Sequence, residues 1–126
     1  MLYLAGQLRA EDRALRHVAR SRVNAALDSL ATHLDGLTEV LISRLTPQQA
    51  AHWQPEQLLA ALLEQPRVAQ LRLTLERYCA DFPALREEAE RTRERLYRRA
   101  YRRLRAACEP FHYQRRFRYT RGLRSH

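Results

Sequence analysis

The chain has 126 residues, 45% of them apolar and 29% charged, with a formal net charge of +9. That length suits one domain with a modest core, and no window approaches the roughly 18 apolar residues that a membrane span requires. Ala, Leu, Arg, Glu and Gln dominate and only three Gly occur, so the expected fold class is all-α: a compact bundle of about four to six helices.

The opening stretch, MLYLAGQLRAED, is too short in apolar residues for a secretory h-region, and acids follow at once. An intracellular, cytoplasmic location is therefore expected. From Leu15 the apolar residues recur at Ala19, Val23, Leu27, Leu30, Leu34, Leu37, Leu41 and Leu45, in steps of three and four. This is a helical stripe of near-heptad spacing. Gly36 interrupts it, and Thr38 is placed to cap a new helix, so a break or kink is expected there. The stripe is longer than one short neighbouring helix covers, which suggests a homodimer through residues 15–45.

LTPQQ is a start signal, with Thr46 as N-cap, Pro47 in the first turn and Gln49 completing a capping box. Pro55 opens the next helix, with Leu58, Leu59, Leu62 and Leu63 inward. Trp53, between these two proline-delimited helices, reads as a core anchor. Pro66 opens a fourth, with Val68, Leu71, Leu75 and Tyr78 or Cys79 inward. Asp81 and Pro83 precede the last helix, whose apolar stripe is Leu85, Ala89, Leu96, Ala100, Leu104 and Ala107.

That last helix carries the chain's charge asymmetry. Thirteen of the 23 basic residues lie from Arg91 onward, opposed only by Glu94 and Glu109, and the preceding 90 residues are slightly acidic. At 3.6 residues per turn Arg91, Arg95, Arg98, Arg102 and Arg105 share one side, flanked by Arg99 and Arg103, with Tyr97 and Tyr101 beside the apolar stripe. Every basic residue is Arg and none is Lys. A purge that extends into the acidic part of the chain points to a GC-rich genome, bacterial or phage, more than to selection for guanidinium chemistry.

Residues 1–109 are expected to form the helical domain and 110–126 a basic, aromatic tail. After Pro110, Phe111, Tyr113, Arg115, Phe117 and Tyr119 alternate with His112, Gln114, Arg116 and Arg118, followed by Arg121. A period of two predicts an extended segment. Its aromatics offer stacking surfaces for bases while Arg tracks phosphates. In the competing reading Phe111, Tyr113 and Phe117 fold back over the end of the bundle.

The sequence offers little to chemistry. His17, His33, His52, His112 and His126 show no ligand spacing with each other or with Cys79 and Cys108, so no metal or other cofactor is expected. His17 and His33 read as solvated, and His52 stands out only for its neighbour Trp53. There is no Gly-rich phosphate loop and no nucleophile elbow. The two cysteines sit too far apart along the helices to bridge, and free thiols are expected. These features suggest a protein that is not an enzyme.

A basic arm against a near-neutral body suggests a polyanionic partner. The first function class is a nucleic-acid-binding protein, DNA or RNA, using the Arg-rich helix and tail. The second is an inhibitor or adaptor that presents the same Arg and Tyr side chains to an acidic or nucleoprotein partner, since interfaces favour both residue types. Small helical proteins without motifs are common among phage and mobile-element products, anti-CRISPR inhibitors included. That is a likeness of type, carried by no shared motif.

Overall fold

The computed structural model describes the backbone of residues 2–124 and the side chains of residues 5–112. The order is α1 (Leu2–Arg44), α2 (Pro47–His52), α3 (Pro55–Leu63), α4 (Pro66–Cys79) and α5 (Pro83–Arg124). Pro47, Pro55, Pro66 and Pro83 each open a helix, where a missing N–H costs nothing and a fixed φ helps. The capping box at α2 forms as its sequence requires. Gln49 N–H donates to Thr46 Oγ1 at 3.2 Å, and Thr46 N–H donates to Gln49 Oε1 at 3.1 Å.

α1 and α5 run side by side in the same direction. Arg20 pairs with Glu88 near one end of the seam, and Asp35 with Arg99 and Arg103 further along. α4 runs back along α1: Arg22 lies over the Tyr78 ring at one end, and Arg67 meets the Gly36–Val40 stretch at the other. These three helices enclose the first hydrophobic cluster, built on Val23, Leu30, Leu34, Val68, Leu71, Leu75, Cys79, Leu85 and Ala89. α2 and α3 close the opposite end. There Ala50, Leu58 and Leu62 pack against Leu104 and Cys108 of α5, with Leu41, Ile42 and Leu45 of α1 alongside. α1 and α5 each contribute to both clusters, and Leu37 of α1 packs against both.

Four expectations are corrected. α1 runs unbroken through Gly36. Thr38 caps nothing: it is buried, and its hydroxyl donates to Leu34 C=O at 2.7 Å inside the helix. The roughly 1 kcal/mol that Gly costs relative to Ala is outweighed by packing on either side of it, from Leu34 and Leu37. Trp53 is 46% exposed, because the buried residue at the α2–α3 corner is Pro55. The buried stripe of α1 starts at Ala19 instead of Leu15, which is 63% exposed, and all described side chains before Ala19 are exposed. From Ala19 to Leu45 the stripe is covered within the chain, which leaves Leu8, Leu15 and Val18 bare.

The fourth correction is the tail. The helix continues through Pro110 to Arg124, in place of an extended segment. A lone strand in a helical protein has no edge to bond to, whereas a helix satisfies its backbone groups locally and forfeits one bond at the proline. Phe111 is half-buried against the second cluster, as the fold-back reading required of it. The side chains of Tyr113 to Tyr119 lie outside the described residues.

Leu104→Ala should lower stability by about 2–5 kcal/mol, because it empties a fully buried site shared by α3 and α5. Leu15→Ala should change it by less than about 0.5 kcal/mol. Urea unfolding followed by circular dichroism measures both.

Candidate nucleic-acid interface

α5 turns its apolar stripe, Leu85, Ala89, Ala100, Leu104 and Cys108, into the bundle. The opposite side is Arg91, Arg95, Arg98, Arg102 and Arg105, all exposed. At 1.5 Å per residue the row is about 21 Å long. Guanidinium groups three and four residues apart repel by about 0.2–0.5 kcal/mol per pair. The helix bears this because its inner face is anchored in both clusters.

The described acids relieve the row only in part. Arg98 Nη2 lies 3.8 Å from Glu94 Oε2, and Arg95 donates to Thr92 Oγ1 at 3.2 Å. Arg91, Arg102 and Arg105 make no hydrogen bond or ion pair among the described residues. Arg99 and Arg103, which flank the row in sequence, are drawn to α1. Arg99 reaches Asp35 at 3.7 Å, and Arg103 reaches Asp35 at 3.5 Å and Glu39 at 3.9 Å. The structure thus gathers five of the seven helix arginines expected at the site and assigns two to the seam with α1.

Both tyrosines also point elsewhere. Tyr97 packs against the first cluster with its hydroxyl enclosed. The Tyr101 hydroxyl donates to Glu56 Oε1 of α3 at 2.9 Å. The Glu56 carboxyl is held below its ordinary range by its own backbone N–H, then by this hydroxyl and the nearby charge of Arg105. The same bond pushes the Tyr101 pKa up. Glu56 is the partner sequence reading missed, since 45 residues separate the pair and no local pattern marks it. Arg115, Arg116, Phe117, Arg118, Tyr119 and Arg121 lie outside the described side chains. Among the described residues no cluster of His, Cys, Asp or Glu is placed to hold a metal ion.

Cys79 lies in the first cluster and Cys108 in the second, both as free thiols. Burial pushes both pKa values up.

No protein-family model matches this sequence, and no curated protein or solved structure matches it at a significant level. The reading of the site rests on its own chemistry.

The Tyr101–Glu56 bond should hold through neutral pH and be lost as pH rises through the raised Tyr101 pKa, above the ordinary value of about 10. An alkaline absorbance titration at the tyrosinate band should show a late-ionising tyrosine. Glu56→Gln, which removes the carboxylate, should move that phase to lower pH.

Proposed function

We propose that this chain is a non-catalytic nucleic-acid-binding protein that grips the phosphate backbone with the outward face of α5. The observation that carries the reading is the row from Arg91 to Arg105: five exposed cations with Glu94, among the described residues, as the one carboxylate in an ion pair with them. Duplex DNA carries a negative charge about every 1.7 Å of its axis, so a row of this length meets several phosphates at once. The cations continue in sequence beyond Arg105 through Arg115, Arg116, Arg118 and Arg121, and Phe117 and Tyr119 supply aromatic faces of the kind that stack on bases. An inhibitor docking on an acidic protein would draw on Tyr97 and Tyr101 as anchors. Both are engaged within the fold, which favours phosphates over a protein face.

Affinity for random-sequence DNA or RNA should fall steeply with salt. Arg98→Gln, Arg102→Gln and Arg105→Gln together should flatten the log–log slope by up to about 3, with helix content kept, because Gln and Arg have similar helix propensity. Fluorescence anisotropy across a salt series measures this. A flat slope in the wild-type protein, or a loss confined to one arginine, would turn the reading toward a protein partner.

Asp35→Asn should release Arg99 from the seam, leave Arg103 only its 3.9 Å pair with Glu39, and raise nucleic-acid affinity. It should cost at most about 1 kcal/mol of stability, since these ion pairs are largely solvated. Binding and urea unfolding on the same variant test the two halves of that expectation.

A further inference from the structure

Of the six large apolar side chains left exposed among the described residues, four belong to α1: Leu8, Leu15, Val18 and Val40. With Ser29 and Gly36 they are spaced by 7, 3, 11, 7 and 4 residues. Each spacing is close to a whole number of turns, so the six fall on one line of α1 about 48 Å long. The helix turns about 100° from Ser29 to Leu30, which makes this line and the buried stripe two different faces.

The two halves of the line are complementary. Every described side chain of α1 before Ala19 is exposed, so this half is an arm held to the bundle at one end only. Helical segments shorter than about 12–15 residues are marginal in water without packing. The other half is the wall of a groove of about 610 Å³ between α1 and the start of α4, bordered by Ser29, His33, Gly36, Val40 and Arg67. A Cβ at Gly36 would meet no atom within 4 Å, so the groove is open there. Charge completes the match. Glu11 stands on the arm's line between Leu8 and Leu15, and Arg67 borders the groove. Neither has an ion pair among the described residues, and Arg67 donates to neutral Gln70 at 3.1 Å.

We propose that the arm of one copy lies antiparallel in the groove of a second copy, whose own arm returns the exchange. Arm and groove share one line of one helix, so a single two-fold axis satisfies both. With Leu8 against the partner's Val40, Leu15 falls beside the partner's His33, and Glu11 beside the partner's Gly36 and Arg67. The four bare apolar side chains of each copy are then covered, and the Glu11–Arg67 pair forms twice. A parallel pairing would set each Glu11 against its mate, which like-charge repulsion disfavours. α5 meets α1 on another face, at Asp35 and Glu39, so the arginine row stays free in the dimer.

The test is sedimentation equilibrium of the full, nuclease-treated chain over a concentration series. A monomer–dimer equilibrium is expected. Leu15→Ala is near neutral for the fold of the single chain, so its effect on association reports the interface; it should weaken the dimer by about tenfold, being felt twice across the axis. Gly36→Glu fits the open space, improves helix propensity and sets a second carboxylate against Glu11, so the dimer should be lost with helix content kept. Glu11→Arg and Arg67→Glu should each weaken the homodimer by about tenfold. Mixing those two variants restores opposite charges at both contacts, so heterodimers should form in preference to either homodimer. Three results would overturn the proposal: a monomer at every concentration, a dimer of wild-type strength in Gly36→Glu, or no preference for heterodimers on mixing.

Discussion

Two helices that lie side by side in the same direction cannot be joined by a tight turn, because the chain must first travel back along the pair. α1 and α5 impose that condition here, and everything between Arg44 and Pro83 answers to it. α4, about 21 Å long, makes the return journey along α1 and fills the space beside the seam with Val68, Leu71 and Leu75. α2 and α3 make the corner, and their apolar sides become the second cluster. Pro47, Pro55, Pro66 and Pro83 fall where this path changes direction. The same condition sets the polarity of α5, so that its N-terminal acids lie beside Arg20 and Arg99 and Arg103 come level with Asp35.

Much of this was legible from local signals. Proline at a helix start, the Thr46–Gln49 box and the three-and-four spacing of leucines act over a few residues, and the structure keeps all of them. The failures at Gly36, Trp53 and the tail share another origin. In each a local preference was opposed by something distant or by a backbone requirement: packing from α4 and α5 around Gly36, the burial of Pro55 at the corner, and the lack, among the described residues, of any strand to receive an extended tail. Propensity is a fraction of a kilocalorie to about one per residue, and burial of a side chain exceeds it.

For the site, periodicity alone gave the outward arginine row, because a helix wheel needs no knowledge of neighbours. Charge compensation was invisible to the same method. Asp35 meets Arg99 and Arg103 across more than 60 residues, and Glu56 meets Tyr101 across 45. Counting arginines therefore overstated the free charge of α5 and gave the tyrosines to a partner when the fold itself uses them.

The distribution of the two thiols has a bearing on how the molecule comes apart. One sits in each hydrophobic cluster, at different levels of the bundle, and each is shielded by a different set of neighbours. Exposing Cys79 requires the seam among α1, α4 and α5 to open, whereas Cys108 is uncovered when α2 and α3 lift from α5. The chain thus contains two chemical clocks, one for each half. If they run together, α5 transmits every opening along its length; if they run apart, the corner breathes while the three-helix seam stays shut.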